Sequence, residues 1–450
     1  MTTDMTQGKT VPLILKFSAP LLLGNLFQQF YNTFDTFIVG KVLCSQALAA
    51  IGATSHLVYT VINFFNGLAI GAQVVISQLF GAKNFTSLKK AINTTIYASF
   101  IFSILATVIQ LILSPFVLRL ISTPPQVLVQ ANEYLKIYFL GTAALILYNM
   151  GSGILRALGD STRALIFLII SSLSNVLLDI LFVLLLGKGI QGAAYATVIS
   201  EVLSALLVII SLEKLDIKMR LEIKHPQIDF VILKKILRLG LPGAVSSAIT
   251  AFSNTFMQKY INFFGTSCMA GWAIFSKFDQ IALLPMHSLS SGATTFVAQN
   301  YGAGKKERIR EGVKESCILI FFVMVVFSLG IILPAKFLAG LFSNDEDVVH
   351  YAMRFIYLTA PFYVLCAFSM LCSHVMRGFG IVFRPTLITF TGFVLFRQIM
   401  LLLISQSSNS FTLIALVYPA AWPLVISIYI IWHLALRART RRACIPSASS

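Results

Sequence analysis

Asp35 and Asp179 lie inside long apolar stretches of a 450-residue chain. A carboxylate at a membrane helix centre costs roughly 2.5–3.5 kcal/mol on insertion scales, so a sequence keeps one there to bind, carry or pair with something. Tyr31 is four residues before Asp35, and Asn175 is four before Asp179, so each pair shares one helix face. Counted from the ends of their apolar runs at 1.5 Å per residue, both aspartates sit ~7–11 Å inside the same half of the membrane. Thr197 enters the following apolar run to about that depth. Two carboxylates, an amide, a hydroxyl and a phenol at one level suit a hard cation such as Na⁺, or a shared proton. The plainer alternative makes each aspartate a helix cap or a helix-to-helix hydrogen bond. Glu201, one turn beyond Thr197 and near mid-span, is a candidate further proton site.

The second half carries different chemistry. Met257 stands where Asp35 would recur, and Met400 where Asp179 would. Lys277, Asp279 and Arg397 fall near mid-span and read as a salt-bridge cluster neutralising buried charge. A role in cavity electrostatics is the alternative. Phe27, Phe30, Phe34, Phe256, Met257 and Gln258 are candidates for an adaptable substrate cavity, against a default of packing or lipid contact. The six cysteines show no metal-ligand spacing and read as small buried hydrophobes. No phosphate-binding loop, dinucleotide fingerprint or nucleophile–base pairing is present, so neither an enzyme nor a bound cofactor is expected.

The elements that must hold these residues are membrane helices. The chain is 57% hydrophobic and 11% charged, with mean hydropathy +0.85, against about 25% charged in soluble domains. Twelve apolar spans can be placed, making an all-α polytopic membrane protein. Most of the 34 lysines and arginines then fall on one side, which puts both termini and the central loop in the cytoplasm. The net charge of +17 is thereby topology, with some attraction to anionic lipid, and not a nucleic-acid surface.

The chain also repeats itself. Residues 20–35 read PLLLGNLFQQFYNTFD and residues 242–257 read PGAVSSAITAFSNTFM, a shift of 222. SQLFGAK (77–83) matches AQNYGAG (298–304), and RALGDSTR (156–163) matches RGFGIVFR (377–384), both at 221. Each repeat holds six spans, so the copies enter with one orientation, as in parallel repeats. The expected organisation is an N-lobe of helices one to six (1–211), a cytoplasmic linker (212–235), a C-lobe of helices seven to twelve (236–436) and a basic cytoplasmic tail (437–450). Gly81, Gly159, Gly302 and Gly380 are expected as left-handed helix caps, with a cytoplasmic latch between lobes as the functional alternative.

With these motifs the chain resembles the multidrug and toxic compound extrusion (MATE) family. The resemblance rests on PLLLGNLFQQFYNTFDTFIVG, ALAAIGA, GAQVVISQLFGAK, ILRALGDSTR, NVLLD and GAAYAT, and spans about residues 12–436. FDQIALLP and FVAQNYGAGKKERI point to its bacterial DinF-like and clostridial-type branch. The resemblance implies two six-helix lobes around a central cavity. It also implies export of cationic or amphipathic small molecules against inward Na⁺ or H⁺. The cation site it implies uses Asp35, Asn175, Asp179 and Thr197, with Ala193 as a backbone ligand and Tyr31 nearby. A second-lobe acid found in one branch has no counterpart among Phe256, Met257, Gln258 and Lys259. The expected protein is an antiporter of the bacterial inner or plasma membrane, working as a monomer among lipids. The alternatives are a flippase of lipid-linked precursors and a passive channel.

Overall fold

The computed structural model describes residues 3–42, 45–120, 125–223, 226–407 and 410–443. Among them there is no strand, and the chain runs as twelve helical rods. Four open the chain: α1 (Thr10–Val42), α2 (Ser45–Gly81), α3 (Phe85–Leu120), and α4, whose halves Pro125–Leu140 and Thr142–Ala157 meet at a 47° bend. Next come α5 (Ser161–Leu185), α6 (Gly189–Glu213), α7 (Phe230–Asn262) and α8 (Thr266–Gly302). Then follow α9 (Lys306–Ile332), α10 (Glu346–Gly378), α11 (Phe383–Ser407) and α12 (Phe411–Ala443). Among the described residues, nine helices are long and apolar enough to cross a membrane, or ten if the bent pair is one span. The rods α7 and α8, at 33 and 37 residues, have the length as well.

Polarity is distributed as lipid requires. On α3, Phe100, Ile101, Ile104, Leu105, Val108 and Ile112 are exposed, whereas Thr94, Thr95, Ser99 and Ser103 are buried. In water so large an apolar face would drive association; against lipid tails it is solvated. Three of these four hydroxyls donate within their own helix: Thr95 to Ala91 O (2.7 Å), Ser99 to Thr95 O (2.5 Å) and Ser103 to Phe100 O (2.7 Å).

The chain forms two compact units. The first comprises Met1–Ala248, Thr294–Gly312 and Arg377–Gly380; the second comprises Ile249–Ala293, Val313–Met376 and Ile381–Ser450. In the first unit, Gly67 and Gly71 of α2 meet Ala244 and Gly240 of α7. A Cβ on Gly71 would lie 2.4 Å from Gly240 N, and one on Gly67 2.5 Å from Ala244 Cα. Small residues four apart let membrane helices pack backbone to backbone. The linker is moored to α3 as well. Glu222 pairs with Lys89 (2.6 Å) and donates its N–H to Asn93 Oδ1 (2.9 Å), and Asp229 N–H reaches Thr94 Oγ1 (3.0 Å). In the second unit, Trp272, Phe275, Phe355, Phe411 and Tyr418 form a connected aromatic core.

The turns at the Lys/Arg-rich end correct one expectation. Gly159 (φ +79°) and Gly380 (φ +82°) are left-handed, but Gly81 and Gly302 are not; the left-handed residues there are Lys83 (φ 56°) and Gly304 (φ +72°). All four turns carry the same bond pattern. For example, Asn84 N–H reaches Leu79 O and Lys83 N–H reaches Phe80 O, while Lys305 N–H reaches Asn300 O and Gly304 N–H reaches Tyr301 O. This is the Schellman closure of a helix end. Gly81 and Gly302 stay helical, and what they supply is room for a neighbouring backbone.

A buried polar chain between two helices of the first repeat

α5 runs as an α-helix to Asp179 and then widens to a π-helix over Ile180–Leu185. Such insertions concentrate at functional sites because they re-aim side chains. Asp179 is fully buried, as are Asn175 one turn earlier and Ala193 on α6; Thr197 is 8% exposed. With its nitrogen turned to the carboxylate, the Asn175 amide donates to Asp179 Oδ2 at 2.9 Å, and its oxygen accepts from Thr197 N–H at 3.1 Å. Thr197 Oγ1 donates to Ala193 O at 3.0 Å. Ser171 adds a further stitch between the helices, donating to Ser200 O at 2.8 Å. An apolar cluster of Ile51, Ile180, Val183 and Ala193 closes over the region.

The structure therefore brings together four of the expected residues: Asn175, Asp179, Ala193 and Thr197. The side chains of Asp35, Tyr31 and Phe34 lie outside the described residues. Their helix, α1, packs along α5 and touches its π segment. A buried carboxylate among oxygen ligands can be offset by hydrogen-bond donors, a bound cation or a proton.

Glu201 sits two helical turns beyond Ala193 on α6. It takes a hydrogen bond from Tyr138 of α4, and its Oε2 is buried with no hydrogen-bond partner among the described residues. The bend in α4 makes the space: a Cβ on Gly141 would come 3.2 Å from that oxygen and 2.8 Å from Val198 Cγ2.

In the second unit, Asp279 and Arg397 are both buried. Asp279 Oδ1 accepts from the Tyr363 hydroxyl (2.9 Å) and Oδ2 from the Tyr418 hydroxyl (2.8 Å). The Arg397 guanidinium lies 4.7 Å from the Tyr418 ring centre and 5.8 Å from that of Phe393. The two tyrosines went unnoticed in the sequence, where nothing but their modest spacing from Pro361 and Pro419 distinguishes them from other aromatics. Lys277 is not part of the arrangement. It is exposed, and residues two apart on a helix point to different sides.

The proposed cavity residues fall in different surroundings. On α1, Phe27 and Phe30 are exposed. On α7, Phe256 is exposed, Gln258 donates to Asn262 Oδ1 (2.7 Å), and Met257 is packed in the core with Ile261, Cys268 and Phe275.

Comparison with known proteins agrees with this architecture. The MatE family pattern matches residues 20–181 and again 242–403. A Bacillus subtilis protein described as the probable multidrug resistance protein YoeA is 28% identical over 398 residues, 86% of each chain. The Staphylococcus aureus multidrug export protein MepA is 24% identical over 82% of this chain and 81% of its own. Among solved structures, an outward-facing multidrug resistance MATE family transporter of the MOP superfamily superposes with TM-score 0.89 at 22% identity, over 98% of this chain and 100% of that one. A MOP superfamily transporter from Pyrococcus furiosus, described as having a binding pocket of reversed polarity, gives 0.88 at 22% identity, over 96% and 97%. The double match, the twelve rods and the duplicated turns converge, and this chain belongs to the MatE family.

Proposed function

We propose that the chain is a secondary active exporter. It moves cationic or amphipathic small molecules out of a bacterial cell against inward Na⁺ or H⁺, with its Lys/Arg-rich end in the cytoplasm. The observation that carries this reading is the buried Asn175–Asp179–Thr197 chain beside a π segment. The names of the relatives, a multidrug resistance protein and a multidrug export protein, support the substrate class. Asp179, Asn175, Thr197 and the Ala193 carbonyl serve as cation ligands, with Asp35 and Tyr31 completing the set from α1. Glu201 serves as a second protonatable group. The chain acts by alternating access as a monomer in the plasma membrane, and no covalent chemistry is needed.

Coupling requires that the cation bind one conformation better than another, so occupancy must change how α1, α5 and α6 pack. The test is export in everted vesicles with Na⁺ and pH gradients imposed separately. Stimulation by one gradient identifies the ion; flux indifferent to both would overturn antiport.

A further inference from the structure

The repeat places a reciprocal contact at the basic end. Gln78 and Gln299 correspond across the repeat, as do Gly81 and Gly302, and Ala157 and Gly378. Gln78 Nε2 donates to Gly378 O (3.1 Å), and Gln299 Nε2 donates to Ala157 O (2.9 Å). Each glutamine thus caps the turn of the other repeat. A Cβ on Gly81 would fall 1.9 Å from Gln299 O, and one on Gly302 1.9 Å from Gln78 O. Helices α2 and α8 therefore touch backbone to backbone at this end, all within the first unit.

One element breaks the symmetry. Residues 3–7 lie across this contact as a short strap ahead of α1, turned at Met5 and Thr6 and bent at Gln7. Thr3 N–H donates to Leu158 O (3.1 Å), beside the first-repeat turn. A Cβ on Gly159 would meet Thr3 O at 2.1 Å. Met5 is fully buried, and its N–H donates to the oxygen of the Gln299 amide, Oε1, at 2.8 Å. Its carbonyl accepts from Asn300 Nδ2 (3.2 Å) and from Arg308 Nη2 (3.2 Å). Arg308 Nη2 also reaches Gln7 O (3.0 Å), and Lys305 Nζ reaches Thr6 O (2.8 Å). One turn links to the first repeat; the rest link to the second.

The seat exists in one repeat alone. The positions of Asn300, Lys305 and Arg308 are Leu79, Asn84 and Ser87 in the first copy. None of those side chains can reach a strap with a positive charge. Duplication explains the glutamine latch, but not three long polar side chains turned onto the chain's own N-terminus.

We propose that residues 3–7 are a removable lock on the glutamine latch. While the strap is seated, Gln299 is held by both of its polar atoms, the two repeats stay joined at the cytoplasmic end, and substrate cannot load from that side. Loading requires the strap to leave the Asn300–Arg308 seat. This rests on the alternating-access reading, and the seat is a binding site for a short turned peptide whose backbone carbonyls face two cations.

The test is a Met5→Cys, Asn300→Cys double variant with the six native cysteines replaced by alanine. Copper phenanthroline closes the disulfide and dithiothreitol reopens it. Gradient-driven export in everted vesicles is expected to fall more than tenfold on oxidation and to recover on reduction. Equal export by the oxidised and reduced proteins would overturn the lock, as would failure of the pair to cross-link. If the reduced protein exports but ignores both ion gradients, antiport fails while the lock is still tested by oxidation. A second variant lacking residues 1–7 carries a Ser77→Cys reporter. It is expected to react several-fold faster with an impermeant maleimide from the cytoplasmic side, and an unchanged rate counts against the proposal.

Discussion

Asn175 connects Asp179 to the backbone of the neighbouring helix: it donates to the carboxylate at 2.9 Å and accepts from Thr197 N–H at 3.1 Å. The amide bridges the two helices. Any change in the charge of Asp179 alters the orientation Asn175 prefers, and with it the bond that ties α5 to α6.

Asp179→Asn is therefore expected to insert normally and to lose gradient-driven export by at least tenfold. Asn175→Ala should approach that loss, because the carboxylate forfeits a buried donor. Thr197→Ala should be milder, about five-fold, since its hydroxyl serves a carbonyl of its own helix and one such bond is worth ~1 kcal/mol. Vesicle export with each ion gradient imposed alone checks the order. Unchanged export in all three would place the function elsewhere.

Glu201 yields a different signature. Replacing it with Gln keeps its shape against Tyr138 and the α4 bend but removes a titrating group. Export should persist, with its dependence on pH flattened and its response to Na⁺ unaltered. An export-pH profile over two units, compared with the parent, measures this.

The Asp279 cluster should be structural. Asp279→Ala strands two buried hydroxyls and removes the anion near Arg397, a loss of ~3–5 kcal/mol for a buried charged network. The unfolding midpoint in detergent should drop by many degrees. Tyr363→Phe and Tyr418→Phe should each cost ~1–3 kcal/mol. Those variants that still reach the membrane should retain the parent's ion response, which separates a scaffold role from a transport role.

Gly81→Ala and Gly302→Ala should behave as equivalents. Each places a methyl group 1.9 Å from a backbone oxygen of the other repeat, and overpacking costs ~1–3 kcal/mol. Both are expected to raise thiol labelling at the basic end, and to similar extents. Gly304→Ala, with no neighbour within 4 Å, should show only the strain of its left-handed backbone.

How much of this was legible in the sequence follows from the range of each interaction. Asn175 and Asp179 are four residues apart on a single helix, so spacing alone put them on a shared face, whereas Ala193, four before Thr197, entered only through the family resemblance. Depth alone grouped Lys277 with Asp279, and failed because depth says nothing about which way a helix face turns. Tyr363 and Tyr418 are 84 and 139 residues from Asp279; no local pattern marks a phenol as the partner of one distant carboxylate. Met257 looked like a cavity wall because it replaces an aspartate, and the structure packs it among apolar neighbours. The strap left no mark in the sequence, since a buried Met5 held through its backbone leaves no imprint on residue type.

The reciprocity of Gln78 and Gln299 bears on descent. A contact in which one residue meets its partner's turn, and the counterpart returns the same bond, has the isologous form of a two-fold homodimer interface. Two separate half-length chains would make this contact twice over, with each glutamine capping its sister. A six-helix ancestor would then have needed no new interface when its gene was copied and joined; it inherited one. Asn300, Lys305 and Arg308, opposite Leu79, Asn84 and Ser87, are where the two halves differ at this contact.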